Sequence, residues 1–297
     1  MLKNSGKVLM KLKSYGKINL FLDVKGKLPS GYHDIVTVIQ SIDIYDEITL
    51  KPVNEDKIII ECSDLSIPVD ESNTCFKAAM VLKDTFGINS GIHIYIDKKI
   101  PAGAGMGGGS SNAAAVIKGL NALWKLNLSR EELSAIGVRV GADVPFCLVG
   151  GTCLAEGIGD KVTDLNDFLW NDILLVKPEF SISTAFIYKN LKSDYYNLYD
   201  SSLMLRHLSS HDHESTARSV SNTLEKVVEI FHPQIKDIKG LMIDNGAISS
   251  IMTGSGSTVF GLFKDSTSLN KAYDLASGAY PFTFKTKTNK DGVKFID

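Results

Sequence analysis

Residues 101–112 read PAGAGMGGGSSN, five glycines among twelve positions, closed by two serines and an asparagine. Such a run suits bare phosphate. It offers backbone N–H groups with little side-chain bulk, left-handed turns at glycine, and a helix start behind it. Ser110, Ser111 and Asn112 are placed to cap that helix and donate to phosphate oxygens. Lys17 lies between Gly16 and Ile18 in an apolar stretch, where a lysine either snorkels or pairs with a carboxylate. Asp143 sits between a helix-ending Gly141 and Pro145, on a constrained turn, as a candidate general base or a plain loop carboxylate. A second Gly-Ser turn, TGSGS, occupies 253–257 and reads equally as a tight hairpin. His207, His211 and His213 (HLSSHDH) have metal-like spacing, but their Ser/Asp-rich surroundings read as solvated loop.

Three phosphate chemistries compete for the glycine run. A Walker loop needs Lys after its last glycine, and Ser110 follows Gly109. Gly103, Gly105 and Gly108 satisfy G-x-G-x-x-G, yet a dinucleotide fingerprint follows a doubly buried parallel strand. Here GIHIYID (91–97) alternates Ile92, Ile94 and Ile96 with His93, Tyr95 and Asp97, the pattern of a strand buried on one face. That favours a different ATP loop, with a structural hinge as the remaining option.

The elements that must position these residues follow from periodicity. Strands are expected over 11–24, over 35–53 as two strands broken near Tyr45–Asp46, over 56–62 and over 91–100. Helices are expected over 73–87, 111–126 and 129–141, the last with a Ser129/Glu132 capping box. Residues 144–157 read as strands around Gly150–Gly151. Beyond a composition shift near 164–172 come a strand (172–178), a helix (183–191), a polar stretch (193–215) that reads as surface loop or short helix, and two helices parted by Pro233. A strand–turn–strand (247–263), a helix (268–280) and a last strand (281–288) follow. Residues 1–9 read as a short extension. This order predicts α+β architecture in two packed domains, 1–165 and 166–297.

Composition excludes several classes. The 297 residues suffice for one large or two moderate domains, and no apolar run is long enough to span a bilayer. A net charge of −2 gives no global field for nucleic acid or anionic membrane. Four cysteines without a C-x-x-C pair are read as reduced thiols, and the N-terminus lacks an h-region, so a cytoplasmic protein is expected.

Three separated segments, GKINLFLDVKGKLPSGYHDI (16–35), PAGAGMGGGSSNAA (101–114) and MTGSGSTVF (252–260), resemble the three motifs of the galactokinase/homoserine kinase/mevalonate kinase superfamily. KINLFL, GYHDI and GADVPF (141–146) narrow the resemblance to the branch acting on a cytidine diphosphate-linked methylerythritol in isoprenoid biosynthesis. It runs from about residue 11 to the last strand and is weakest over 193–220.

The resemblance implies a two-domain small-molecule kinase fold of the mevalonate/homoserine kinase type, with the active site in the interdomain cleft. It implies ATP with Mg2+ as cofactor and phosphorylation of a substrate hydroxyl. Asp143 becomes the catalytic base and Lys17 its charge partner. Pro101, Ala102, Gly103, Ala104, Gly105, Met106, Gly107, Gly108, Gly109, Ser110 and Ser111 are expected at ATP, with Asn73 and Lys98 on the adenine side. Asn19, Tyr32, His33, Asn112, Thr184, Tyr188, Gly254, Ser255 and Gly256 are expected at the other substrate. Tyr32 supplies a stacking face, His33 an edge, and Tyr188 or, second, Phe186 the opposite face. Ser110 or Ser111 can offer Mg2+ a hydroxyl, but no protein metal ligand is assigned. No nucleic-acid or membrane partner is expected, and the chain should be a monomer or weak homodimer. The alternatives are another kinase of the superfamily, of homoserine or mevalonate type, and a non-catalytic nucleotide-binding module.

Overall fold

A computed structural model describes residues 9–296, so the expected extension is described only at Leu9. Two long antiparallel strands, β1 (Met10–Lys27) and β2 (His33–Val53), turn through the Pro-Ser-Gly segment. Then come β3 (Ile58–Cys62), α1 (Thr74–Phe86), β4 (Gly91–Asp97), α2 (Gly108–Leu123), α3 (Arg130–Val140), α4 (Val144–Val149), β5 (Thr152–Gly157) and β6 (Lys161–Asp164). The second half runs β7 (Ile173–Lys177), α5 (Thr184–Asn190), α6 (Ser201–Ser209), α7 (His213–Arg218), β8 (Ser221–Asn222), α8 (Glu225–Phe231) and α9 (Gln234–Asp244). It ends with β9 (Ala247–Met252), β10 (Val259–Phe263), α10 (Ser266–Ala279), β11 (Phe282–Thr286) and β12 (Val293–Ile296).

The larger sheet has the order β12-β1-β2-β4-β3, with β5 on β2, β6 on β5 and β8 on β1. The smaller has the order β11-β7-β10-β9. The expected division near 165 falls between β6 and β7, although β8 and β12 return from the second half to pair with β1. In β4 the alternation holds: Ile92, Ile94 and Ile96 are buried against α1 and α2. The capping box on α3 forms as expected. Glu132 N–H donates to Ser129 Oγ (3.2 Å) and Ser129 N–H to Glu132 Oε2 (2.8 Å). Such a cap stabilises a helix by about 1 kcal/mol.

Three expectations need correction, and a fourth is narrowed. The 35–53 stretch is one strand, because a register shift against β1 between Tyr15 and Lys17 absorbs the irregularity near Tyr45 as a bulge. Residues 144–149 form a helix, not a strand: Pro145 pre-sets its first turn, and Val144, Phe146, Cys147 and Leu148 are buried. Of the two readings of the polar 193–215 stretch the short helix holds: it carries α6 and the start of α7, seated on the core through Met204 and Leu208, with Ala217 of α7 adding to it. The last strand is β12, after the expected strand at 282–286.

An apolar cluster joins the two halves. Ile18, Leu20 and Phe21 of β1 pack with Phe168, with Ile173 and Leu175 of β7, and with Phe260 and Leu262 of β10. Burying a side chain of this kind contributes roughly 1.5–3 kcal/mol. β1 therefore belongs to the larger sheet and packs on the smaller one, and any side chain it turns into the cleft has its position set by both.

Candidate active site

The cleft beside β1 holds about 980 Å³ and is lined from both halves. Its floor is Lys17 on β1. The lysine is buried (4% exposed), and its Nζ donates to Asn19 Oδ1 (2.8 Å) and faces Asp143 Oδ2 at 3.5 Å. Asp143 precedes α4 and makes no side-chain capping bond there. With 38% of its side chain exposed to the cleft, the carboxylate is open to an incoming hydroxyl. An apolar strand delivers a cation where a helix start delivers an anion, although the two are 126 positions apart in sequence (143 − 17).

Asn19 is held on every side. Its N–H donates to Thr253 Oγ1 (2.9 Å), its Nδ2 to Thr37 Oγ1 (2.9 Å), and its Oδ1 also accepts from Thr253 Oγ1 (3.3 Å). The glycine run arches over this floor. Lys17 N–H donates to Met106 O (3.0 Å), pinning the loop to β1. Gly107 (φ +69°) lies so close to the Lys17 shaft that a Cβ would stand 3.0 Å from its Cγ. Gly105 (φ +73°) lies so close to the 253–257 turn that a Cβ would stand 2.4 Å from Thr253 O. Glycine is required at both by conformation and by space. Helix α2 begins immediately after, and Gly107 caps it without a side chain, leaving its first amides directed at the cleft.

Every sequence-derived site residue lines this cleft except Ser111 and the second-choice aromatic Phe186. The Ser111 side chain is fully buried and donates to Tyr15 O (2.7 Å), which leaves Ser110 as the one of the two serines that lines the cleft. Asn112 is nearly buried and accepts from Ser14 Oγ (2.6 Å). Lys98 Nζ pairs with the fully buried Asp46 at 2.5 Å, and Asp46 also accepts from the N–H groups of Lys99 (2.6 Å) and Ile100 (2.8 Å). The ammonium lies against the start of α2, near Gly108. Asn73 caps α1: it accepts from Cys75 N–H (2.8 Å) and donates to Pro68 O (2.6 Å), so both amide atoms are engaged at the cleft rim.

At the other end, Tyr188 of α5 stacks on His33 (centroids 4.8 Å, planes 26° apart). Phe186 turns away from the cleft onto Phe231 (5.1 Å), so of the two candidate aromatics only Tyr188 faces it. Tyr32 is exposed (64%). Burial, with the Lys27 charge behind it, holds the His33 pKa below its ordinary value; burial raises that of the Tyr188 phenol, and Asp143 adds to the rise. Thr184 Oγ1 and Ser255 Oγ share a hydrogen bond (2.8 Å) that ties α5 to the Gly-Ser turn.

Sequence reasoning missed Lys27 and Lys189 at the cleft wall, and Thr37, Thr253 and Asn222 beneath it. Lys189 adjoins Tyr188 and was within reach of a local reading. Nothing local marks the other four: Lys27 only lines the wall, Thr37 acts through its neighbour strand β1, and Thr253 and Asn222 act through bonds between the two halves. Among the described residues there is no cluster of three or more His, Cys, Asp or Glu side chains able to hold a metal. His207 Nδ1 bonds Ser219 Oγ (3.2 Å) instead. All four cysteines are free, three of them buried. No helix among the described residues is long and apolar enough to cross a membrane.

A glycine arch over a lysine–aspartate pair, in a cleft between an eight-stranded and a four-stranded sheet, defines a small-molecule kinase of the GHMP class. Residues 73–151 match the GHMP kinases N terminal domain and 204–280 the GHMP kinases C terminal domain. A 4-diphosphocytidyl-2-C-methyl-D-erythritol kinase of Clostridioides difficile is 46% identical over 262 residues, covering 86% of this chain and 87% of that one. One of Caldanaerobacter subterraneus is 42% identical over 288 residues, covering 97% and 99%. The crystal structure of a 4-(cytidine 5'-diphospho)-2C-methyl-D-erythritol kinase superposes with a TM-score of 0.80 at 26% identity, over 94% of this chain and 99% of that one. A homoserine kinase from Cytophaga hutchinsonii has the same TM-score at 20% identity, covering all of both chains, and shares the fold. The chain belongs to the 4-diphosphocytidyl-2-C-methyl-D-erythritol kinase family.

Proposed function

We propose that the protein transfers the γ-phosphoryl group of ATP to the 2-hydroxyl of 4-diphosphocytidyl-2-C-methyl-D-erythritol, giving the 2-phosphate and ADP in the methylerythritol phosphate route to isoprenoids. The observation that carries the chemistry is the Lys17–Asp143 pair, 3.5 Å apart on the cleft floor between the glycine arch and the His33/Tyr188 end. Asp143 accepts the hydroxyl proton as the oxygen attacks. Lys17 keeps the carboxylate ionised before transfer and offsets charge on the moving phosphoryl group. The amides at the start of α2, the loop 101–109 and Ser110 receive the ATP phosphates. Asn73 and Lys98 border the adenine side.

At the substrate end, neutral His33 has one donor and one acceptor nitrogen for a cytosine edge. The base lies edge to edge with His33 on the same side of the Tyr188 ring, with Tyr32 across the opening. Asn19, Asn112, Thr184 and Gly254–Gly256 shape the wall between base and hydroxyl. With no metal-holding cluster of His, Cys, Asp or Glu among the described residues, a Mg2+ ion at the phosphates would be held mainly by phosphate and water, with Ser110 able to offer a hydroxyl, and would offset charge on the transferring phosphates.

The test is ADP release with 4-diphosphocytidyl-2-C-methyl-D-erythritol, L-homoserine and mevalonate, each with MgATP, and phosphorus NMR of the product. Turnover with the first alone, giving a 2-phosphate, is expected. Preference for either of the others would replace the substrate assignment, and no turnover with any would favour a non-catalytic nucleotide-binding module.

A further inference from the structure

β9 is an edge strand of the smaller sheet, and it leads directly into the 253–257 turn. The backbone groups of Met252 that point off this edge have no strand to pair with, and an unpaired buried amide is costly. Two side chains from one short segment, SNTLE (221–225), take them. Glu225 Oε2 accepts from Met252 N–H (2.8 Å). Asn222 Nδ2 donates both to Met252 O (2.7 Å) and, past the strand end, to Gly254 O (2.8 Å). Its Oδ1 accepts from Leu224 N–H (2.9 Å), so the amide orientation is settled and all its strong bonds are used. Asn222 is 1% exposed and Glu225 4%.

The two residues differ in what lies beyond them. Glu225 touches only Met252 N–H and its own partner Lys239, which also holds Glu229. Asn222 reaches Gly254, whose Cα region roofs the catalytic floor: a Cβ there would stand 3.2 Å from Asn19 Oδ1 and 3.3 Å from Lys17 Nζ. Asn222 is also paired with Leu22 of β1, the strand that carries Lys17 and Asn19. One amide therefore fixes the distance between β1 and the turn that closes over it.

Resting on the reading of Lys17 and Asp143 as the catalytic pair, we propose that Asn222 is a positioning residue. It holds the Thr253–Gly254 corner on Asn19, so that Lys17 is kept facing Asp143. Asn222→Ala loses three bonds, to carbonyls 252 and 254 and from Leu224 N–H, and the Gly254 bond is the one that matters for turnover.

The experiment compares Asn222→Ala, Asn222→Asp and Glu225→Gln with the parent. It uses ADP release under saturating MgATP and cytidine-linked substrate, both KM values, and thermal melts, at a temperature where each protein is folded. Activity of the parent tests the assigned reaction; only the variant ratios test Asn222. Both Asn222 variants are expected to lose ten- to hundredfold in kcat with each KM within threefold, while Glu225→Gln is destabilised but keeps kcat within threefold. The proposal is overturned if the Asn222 variants keep kcat within threefold, or if Glu225→Gln loses as much. Failure of both Asn222 variants to fold at any temperature also counts against it, since the role would then be structural alone.

Discussion

Replacing Asp143 by asparagine separates chemistry from structure at this site. The side chain keeps its volume and its place before α4 but loses the ability to take a proton. At 3.5 Å, the attraction between unit charges is about 332/(20 × 3.5), roughly 5 kcal/mol, at an effective dielectric constant near 20. Solvent reaches 38% of the Asp143 side chain, so only a fraction of this is felt as stability, about 1 kcal/mol or less. Lys17 also keeps its bond to Asn19 in the variant. The kinetic effect is set differently. Positioned general-base catalysis contributes about 10²–10⁴-fold, roughly 3–5 kcal/mol of barrier. Asp143→Asn should thus melt within a few degrees of the parent, hold both KM values within severalfold, and lose two to four orders of magnitude in kcat. The assay is coupled ADP release at saturating substrates beside calorimetric or fluorescence melting. A kcat within threefold of the parent would refute the role of Asp143. A matching collapse of the melting temperature would show that the carboxylate serves the fold instead.

Gly107→Ala places a Cβ 3.0 Å from Lys17 Cγ at a φ of +69°; it should cost about 1–2 kcal/mol in stability and at least tenfold in kcat, read by melting and ADP release. Tyr188→Ala should raise the KM for the cytidine-linked substrate severalfold or more and leave that for ATP unchanged, since the ring stacks on His33 away from the glycine arch; an unchanged substrate KM would make it a packing residue. His33, lowered by burial and then by Lys27, contributes stability that is complete above its unfolded value near 6.5 and is lost as pH falls toward its folded value. Parent melting temperatures should therefore fall over that acidic window more than those of His33→Asn, and parallel curves would remove this account.

Local signals carried the parts of the fold whose physics is local. The alternation of Ile92, Ile94 and Ile96 is a period-two pattern that holds for any strand with one buried face. The Ser129/Glu132 box closes within one turn. The glycines of 103–109 announce a backbone that bulk would spoil. Readings failed where burial on all sides removed the period. VPFCLV (144–149) is apolar throughout, so nothing in the pattern separates a buried strand from a buried helix, and Pro145 was the cue toward a helix. β12 escaped notice because a four-residue edge strand is specified mainly by the partner it adds to, here β1.

The site divides in the same way. Motif order in the sequence singled out Lys17, Asp143, His33, Tyr188 and the two glycine turns through their resemblance to the superfamily; of these only the glycine run is a local chemical choice, suited to phosphate by its bare backbone. Which of them meet was decided only by the tertiary structure. β1 had to be set in the larger sheet beside the start of α4 before Lys17 could face Asp143, and α5 had to dock with Phe186 outward for Tyr188 to reach His33. Ser111 was read for the phosphates from its neighbours in sequence, but a helix turns each residue by about 100°, and that rotation sent its hydroxyl to Tyr15. Thr37, Thr253 and Asn222 are ordinary polar residues in sequence; their roles exist only where strands distant in the chain come within hydrogen-bond reach.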